Sequence, residues 1–234
     1  FKKNCEVKLE EHFNLTHNSI NNINYNTIVE EGALVNHNIF QNFSNLNKLF
    51  FTSNTVCEKH SFYNQNTYNF SDGFVRNFHH AHLNGEFANA TLKGCFFLKD
   101  KNVCSNKTNI MHNAEHCVSD QTYKGILNDQ SKANYYSNTF VSENAQKTEG
   151  YQLSKGILLT DNCSFFSKPE LRIFADDVKC SHGSTIGPVD ESALYYLRSR
   201  GISKNEAMKM IIRRQTTIVI LLFLKMHKRL KVIN

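Results

Sequence analysis

Residues 113–127, NAEHCVSDQTYKGIL, and residues 144–158, NAQKTEGYQLSKGIL, are one unit written twice. The interval between the two copies also separates four glycines, Gly94, Gly125, Gly156 and Gly187. A fixed period of this size, about 31 residues, indicates a solenoid in which each coil buries its apolar face against the next coil. Because the apolar runs are short and punctuated by Gly, the unit is predicted to consist of strands and turns with Gly at the corners.

The repeat predicts a mainly β protein, a right-handed parallel β-helix (solenoid) followed by a small C-terminal helical segment. Identical Asn and Gln side chains in register are expected to hydrogen-bond along the stack. Four parts follow from the position of the repeat: a poorly defined N-terminal segment at 1–31, the β-helix core at 32–188, C-terminal helices at 189–214, and a divergent apolar and basic tail at 215–234.

Two helices are predicted after the last coil, over 190–200 and about 204–214. Asp190 is the candidate N-cap of the first helix, and Gly201 stands where a C-terminal cap belongs. The second helix begins with Ser203 followed by Glu206, which have the spacing of a capping box.

Composition excludes several functional classes. The chain has 40% hydrophobic and 12% aromatic residues, enough for a real core, and its net charge of +6 is scattered until the final segment, so no nucleic-acid groove is expected. Seven Cys without a C-x-x-C motif fit neither a disulfide framework nor a zinc knuckle. The apolar run 218–224 is far shorter than the ~20 residues that span a bilayer, so no membrane span is predicted. The chain begins with Phe1, which is consistent with a fragment.

Motifs for nucleotide or acyl chemistry are absent from the sequence. It contains no G-x-x-x-x-G-K-[ST], no G-x-G-x-x-G and no G-x-S-x-G. The chain is therefore not expected to hydrolyse ATP or to carry a serine nucleophile.

The stretch 168–201, KPELRIFADDVKCSHGSTIGPVDESALYYLRSRG, contains the sharpest candidate site. Its apolar residues alternate with polar ones, which is typical of a half-buried strand, and an extended backbone places Val178, Cys180 and His182 on one face. A thiolate beside an imidazole is a plausible ligand pair for iron or zinc. On spacing alone C-x-H is a weak motif, and a packed Cys beside a hydrogen-bonded His is the more ordinary interpretation.

The segments KPELRIFADDVKCSHGSTIG and YLRSRGI resemble the C-terminal core of the SufB/SufD family of iron–sulfur cluster assembly scaffolds, and DDVKCSHG resembles its SufD branch. The resemblance is dense from Gly73 to Arg213. It implies a β-helix without catalytic activity that pairs with a SufB-like protein and binds a SufC-like ABC-type ATPase. It also implies a location in the cytoplasm, or in the stroma of a plastid or other organelle if the source is eukaryotic.

The resemblance identifies Cys180 and His182 as candidate cluster-assembly ligands shared with a SufB-like partner. Two ligands cannot complete a tetrahedral iron site, so the isolated chain is expected to bind no cofactor tightly. A transient iron–sulfur cluster, or iron, would form at the interface with SufB. For the ATPase, the resemblance points to the helical residues Leu194, Tyr195, Leu197, Arg198, Arg200 and Gly201.

Two other groups of side chains are interpreted as structural. His112, His116 and Cys117 have a spacing that would put two His on one helical face, but they lie inside the repeat, where no helix is expected. His79, His80 and His82 are predicted to be surface residues.

Two alternatives stay open on the residues alone, a β-helix enzyme acting on polysaccharide and a purely structural solenoid. Such an enzyme needs clustered carboxylates in a groove. Asp176 and Asp177, an adjacent acidic pair, are predicted to lie at a strand end instead.

Overall fold

The computed structural model describes residues 1–15, 18–43 and 47–212. Among them are thirteen strands and the helix α1. Their bounds are β1 Glu6–Phe13, β2 Ile20–Val29, β3 Leu34–Gln41, β4 Lys48–Cys57, β5 Phe62–Asn69, β6 Phe74–Leu83, β7 Asn89–Leu98, β8 Val103–His112, β9 Val118–Leu127, β10 Lys132–Val141, β11 Thr148–Leu158, β12 Ser164–Ile173, β13 Val178–Pro188 and α1 Glu191–Ser199. Residues 204–212 form a second helix.

The strands alternate between two sheets. Odd-numbered strands form a seven-stranded sheet in the order β1-β3-β5-β7-β9-β11-β13, and even-numbered strands form a six-stranded sheet in the order β12-β10-β8-β6-β4-β2. Neighbouring strands run parallel, as where Val118–Leu127 lies beside Glu149–Leu158. Each coil thus adds one strand to each sheet, and the predicted parallel β-solenoid is confirmed.

The solenoid begins earlier than the predicted boundary at residue 32. Within 1–31, β1 pairs with β3 and β2 pairs with β4, so this segment is the first coil and not a poorly defined one. Asn occurs on both faces of β2, which removes the apolar alternation that would have predicted a strand. The backbone ladder to the next coil defines the strand instead.

The spacing of the repeat holds at one junction and fails at others. Gly125 pairs with Gly156 as the repeat predicts, but Gly94 pairs with Tyr123 and not with Gly125. At the first junction Glu6 pairs with Leu34, which is a shorter step along the chain than the one from Gly125 to Gly156. Coils of this protein differ in length, so the spacing between Gly94 and Gly125 is a coincidence.

Nor do the repeated glycines form the corners. Gly94, Gly125 and Gly156 lie within strands, and a Cβ on them would overlap the rings of Tyr123, Phe96 and Phe165, respectively. Gly is required here because an aromatic ring from the neighbouring coil or the opposite sheet occupies the space of the side chain.

Residues with a left-handed backbone form one corner of each coil. Their φ angles lie between 56° and 68°, and they are Asn4, Gly32, His60, Phe87, His116 and Lys147. Each donates its N–H to a carbonyl of the next coil, as His60 does to Glu86 at 2.9 Å. The bonds between coils hold a conformation that is unusual for residues other than Gly and Asn.

The interior contains two large apolar clusters and a set of buried polar side chains. Aromatic rings fill one cluster, where Phe51, Phe96, Tyr123 and Tyr135 are at most 1% exposed, and mostly smaller side chains such as Val35, Leu83 and Ala90 fill the other. Polar side chains form a hydrogen-bonded row beside them. The predicted ladders are confirmed for Asn on the outside, where Asn64 donates to Asn36 and Asn66 to Asn38, both at 3.1 Å. They are not formed by Gln121 and Gln152, which lie in register but both donate to Thr139 Oγ1.

The stretch from Leu171 onward is two strands and not one. β12 ends at Ile173 in the six-stranded sheet, and β13 begins at Val178 in the seven-stranded sheet. Buried Ala175 lies in the turn between them. β13 then continues through Gly183 as far as Pro188.

The chain divides into two compact units, Phe1–Ile186 and Gly187–Asn234. In the second unit the side chain of Asp190 accepts from the backbone N–H of Ser192 and Ala193, which confirms the N-cap. Ser203 caps the helix at 204–212 by accepting from Glu206 N–H at 3.3 Å, as predicted. The tail at 215–234 lies outside the described residues.

Candidate functional site

Cys180 and His182 lie on β13, the edge strand of the seven-stranded sheet. Within the described residues β13 has a single hydrogen-bonded neighbour, β11, at the end of the strand order. An unpaired edge presents backbone N–H and C=O groups to another chain. The alternation along an extended strand places the two side chains on the same face, about 7 Å apart along the strand.

The Cys180 thiol is half-buried in the last coil. It packs in a small apolar cluster with Val141, Ala145, Ala175 and Val178. Burial raises the pKa of the thiol, and a hydrogen bond with the Gly150 backbone partly offsets this. The neutral thiol is therefore the resting form near neutral pH, and metal binding would have to displace its proton.

Gly150 makes room for this sulfur. A Cβ there would lie 3.2 Å from the Cys180 sulfur, tighter than an ordinary contact. One residue earlier in β11, the carboxylate of Glu149 binds Lys179 at 3.0 Å. The two contacts have the same offset along the chain, and together they fix the register of β13 on β11.

His182 is exposed on the same strand. The offset of the Glu149–Lys179 contact places it beside Gln152, which is buried and donates to Thr139 Oγ1 at 2.8 Å and to the Glu170 carbonyl at 3.1 Å. Gln152 in turn lies in register with buried Gln121. His182 thus continues a polar row of the interior at the point where the row reaches solvent.

Cys180 is one of two cysteines that are not buried among the described residues; Cys5 is the other. Five cysteines are buried: Cys57, Cys95, Cys104, Cys117 and Cys163. Burial raises the pKa of Cys57, Cys95 and Cys104 to about 12 and that of Cys117 to about 11. A thiol with such a pKa is a poor nucleophile or metal ligand, so these four are packing residues.

His79 was predicted to be a surface residue, and this is wrong. It is completely buried, with its Nδ1 2.8 Å from both Ser53 Oγ and Gln65 Nε2. Burial lowers the pKa of His79 to about 3, so the ring is neutral. His80 and His82 share the outer face of β6, and the odd-numbered His79 therefore points inward, into the polar row.

His112, His116 and Cys117 lie in different surroundings. His112 ends β8 and is buried, with Nε2 2.8 Å from Ser119 Oγ, and burial lowers its pKa to about 4. His116 lies at an exposed corner, where its ring stacks on Phe87 with centroids 4.7 Å apart. The three side chains do not share a helical face.

The predicted ATPase-binding residues lie on α1 and its C-terminal end. No residue of α1 is buried, and Tyr195 is 76% exposed. Sequence reasoning missed Tyr196, which is 58% exposed and carries the Arg200 guanidinium 5.3 Å from its ring centroid. Leu194, Leu197, Arg198, Arg200 and Gly201 complete the predicted set.

Gly201 ends α1 in a Schellman motif. Its φ of 81° is left-handed. Gly201 N–H donates to Arg198 C=O and Ile202 N–H to Leu197 C=O. This pattern satisfies the last carbonyls of the helix and confirms Gly201 as the predicted C-terminal cap.

The adjacent acidic residues Asp176 and Asp177 lie in the turn between β12 and β13. Asp177 forms an ion pair with Lys147 on the surface. Across residues 1–15, 18–43 and 47–212, no three His, Cys, Asp or Glu side chains are arranged to hold a metal ion. Over the same ranges no helix is long and apolar enough to cross a membrane.

These observations define a class, a parallel β-solenoid with a thiol and an imidazole on its last edge strand and a solvent-exposed helix after it. Residues 1–214 match the family described as the SufBD core domain of the SUF system for FeS cluster assembly. The chain belongs to this family, and the resemblance noted in its sequence is confirmed.

Individual relatives support the SufD-like assignment. The chain is 38% identical to the iron–sulfur cluster assembly protein SufD of Escherichia coli over 130 residues, which are 56% of this chain and 31% of SufD. It is 34% identical to a SufBD family protein of Synechocystis over 115 residues, 49% of this chain and 25% of the relative. The chloroplastic protein ABCI7 of Arabidopsis thaliana is 39% identical over 96 residues, 41% of this chain and 20% of ABCI7. The matched region thus spans less than a third of each relative.

Proposed function

We propose that this chain is a non-catalytic, SufD-like scaffold of iron–sulfur cluster assembly. It pairs with a SufB-like protein along the edge formed by β13, and the cluster is the cargo of the junction and not a resident cofactor. Membership of the SufBD family supports a role in iron–sulfur cluster assembly. The location that follows is the cytoplasm or a plastid stroma, and a chloroplastic relative supports the latter for a plant source.

The observation that carries the proposal is the position of Cys180 and His182. A half-buried thiol and an exposed imidazole lie on one face of a strand whose other edge has no neighbour among the described residues. Two side chains cannot complete the coordination of iron, and a strand edge is a natural place for a second chain to bring the missing ligands. The pair would hold iron only while that second chain is present.

The ATPase part of the proposal rests on α1. A nine-residue helix without a buried residue, with two exposed tyrosines and an Arg at its end, has the composition of an interface core. We assign this surface to a SufC-like ATPase, which supplies the ATP hydrolysis that the motifs of this chain do not provide.

Co-expression with SufB-like and SufC-like proteins tests the proposal. His182→Ala should lower the iron and sulfide content of the co-purified complex several-fold, and Cys180→Ala should lower it less, because the thiol packs while the imidazole faces solvent. Cys5→Ala and His116→Ala are matched controls, since they remove a partly exposed thiol and an exposed imidazole elsewhere. Wild-type iron and sulfide in both test variants would overturn the ligand assignment.

The same purification tests α1. Leu194→Asp should remove the ATPase from the complex and leave the circular dichroism of the solenoid unchanged. Phe62→Asp, on a 43% exposed Phe of β5, is the control and should retain the ATPase. Retention of the ATPase by Leu194→Asp would reject α1 as the docking helix.

A further inference from the structure

The outer face of the six-stranded sheet has a composition that the proposed function does not use. We call it the basic–aromatic face and define it as the outward residues of β4, β6, β8, β10 and β12. Parallel in-register pairing and the alternating burial of these strands place these residues on one surface. None of them belongs to β13 or α1.

Positive charge dominates this face. Each of its strands contributes at least one cation, and all of them are exposed: Lys48, Arg76, Lys107, Lys132, Lys168 and Arg172. Glu170 is its single acidic residue, and Arg172 binds it at 2.7 Å. Within the described part of the chain, Lys48, Arg76, Lys132 and Lys168 make no ion pair, so their charges are available to a partner.

Aromatic side chains lie between these cations. Tyr136 and Phe166 are 37% and 53% exposed, and their rings pack at 5.7 Å between centroids. Phe50 and Phe74 pack at 5.5 Å. Apolar rings held against one another offer contact area that loses little conformational entropy on binding, which is the usual reason for aromatic residues at protein interfaces.

A row of amides crosses the middle of the face and is already ordered. Asn138 Nδ2 donates to Asn109 Oδ1 at 2.6 Å, and Asn109 Nδ2 lies 3.3 Å from His80 Nδ1. These bonds run along the solenoid axis, from one coil to the next. A polar row of this kind does not favour burial in the apolar part of a bilayer.

The outer face of the seven-stranded sheet differs. There cations and carboxylates are both present and several are paired, as in Lys8 with Glu10, Lys93 with Asp120, and Lys179 with Glu149. Lys124 and Lys155 on this face make no ion pair among the described residues, but carboxylates lie on the same surface. The two outer faces thus differ in their content of carboxylates, since the basic–aromatic face has only Glu170.

We propose that the basic–aromatic face docks the acidic surface of a partner protein. Five strands about 4.8 Å apart and about ten residues long cover roughly 800 Å², which is the contribution of one partner to a standard interface. Single-stranded nucleic acid fits less well, because bases need open ring faces. Here the Phe78 ring is covered by Lys107 at 4.7 Å and lies 3.9 Å from His80.

Fluorescence anisotropy with a labelled peptide rich in Glu and Leu tests the proposal on the full chain. The double variant Arg76→Glu with Lys132→Glu should weaken binding by at least about tenfold, since it removes two unpaired cations and adds two anions. The control, Lys124→Glu with Lys155→Glu, makes the same charge change on the other sheet and should weaken binding by less than about twofold. Phe166→Ser should weaken the binding that persists in high salt.

Oligo-dT and phosphatidylserine vesicles are the competing probes, and urea titration confirms that each variant is folded. The proposal is overturned if the two double variants weaken peptide binding equally, or if the wild-type chain does not bind the peptide. If the wild-type chain binds oligo-dT or vesicles more tightly than the peptide, and Arg76→Glu with Lys132→Glu removes that binding, the partner of this face is nucleic acid or lipid and not an acidic protein.

Discussion

The strands of the middle coils and of the last coil are similar in length and alternation, but only those of the middle coils have buried residues. In β9 every second residue is buried, and Ser119, Gln121 and Leu127 are completely enclosed. β13 has a similar length and alternation, yet none of its residues is buried. A coil becomes core when neighbours cover it on both sides, so the difference shows that position along the stack, and not local sequence, decides burial.

Residues of the same type or at equivalent positions are enclosed in the middle coils and exposed or half-buried in β13. Gln152 and Gln121 in the middle coils are fixed by hydrogen bonds, whereas His182 at the next position is exposed. Cys57 and Cys117 are enclosed, whereas Cys180 is half-buried. Substitutions in the middle coils should therefore cost stability, and those in β13 should change binding with little loss of stability.

The largest effect is expected at the glycines. Gly125→Val would drive its side chain into the Phe96 ring, and we expect a loss of about 3 kcal/mol in the free energy of unfolding. Gly187→Val should stay within about 0.5 kcal/mol, because no atom lies within 4 Å of a Cβ there. Urea titrations measure both.

Gly156→Val is the internal control of this comparison. It lies in register with Gly125 and under the Phe165 ring, so its loss of stability should be similar to that of Gly125→Val. Similar losses at Gly125 and Gly187 would show that the backbone, and not the overlying ring, requires Gly, as the repeat alone suggested.

The sequence was sufficient for the architecture but not for the register. The copies at 113–127 and 144–158 are truly paired, and they predicted a parallel solenoid correctly. The spacing of Gly94 predicted the wrong pairing, because the coils differ in length and Tyr123, not Gly125, lies beside Gly94. The spacing of residues in the sequence does not show which coils have longer turns.

The candidate site was predictable in part. The C-x-H pair and its common face could be predicted from local alternation together with the family resemblance, and the caps of α1 from residue type alone. The break between β12 and β13 was not predicted, because apolar and polar residues alternate on both sides of it. Whether a side chain is enclosed depends on residues one coil away along the chain, and for this reason His79 was misplaced. The basic–aromatic face was missed for the same reason, because its cations come from five separate coils.

The second effect is a loss of stability in mild acid. Burial lowers the pKa of His79 to about 3, below its usual 6.5, so the unfolded chain binds a proton that the folded chain does not. Stability is therefore complete above pH 6.5 and falls as the pH decreases toward 3. Between pH 7 and pH 5 His79 should account for about 2 kcal/mol of this loss.

His79→Gln tests this by urea titration at both pH values. The variant should lose about 2 kcal/mol less than the wild-type chain between pH 7 and pH 5, whatever its stability at pH 7. Ser53→Ala removes a hydrogen-bond partner of His79 without removing a titrating group. Ser53→Ala should lower the free energy of unfolding at both pH values, while the loss between pH 7 and pH 5 stays that of the wild-type chain. If His79→Gln also shows the wild-type loss between pH 7 and pH 5, His79 is not the cause of the pH dependence.

The smallest effect on stability is expected at Cys180, where Cys180→Ala should cost less than about 1 kcal/mol in the free energy of unfolding.

The partial exposure of Cys180 also predicts that the cysteines of different coils differ in reactivity. Iodoacetamide should alkylate Cys5 and Cys180 of the folded chain before the buried thiols, as measured by mass spectrometry of the digested protein. Because burial raises the pKa of Cys180, its rate at neutral pH should be low and should rise about tenfold per pH unit toward that pKa. A SufB-like partner should slow the alkylation of Cys180 and leave Cys5 unchanged. Equal alkylation of Cys117 and Cys180 would mean that the middle coils open as readily as the last one, and the contrast between enclosed and exposed coils would fail.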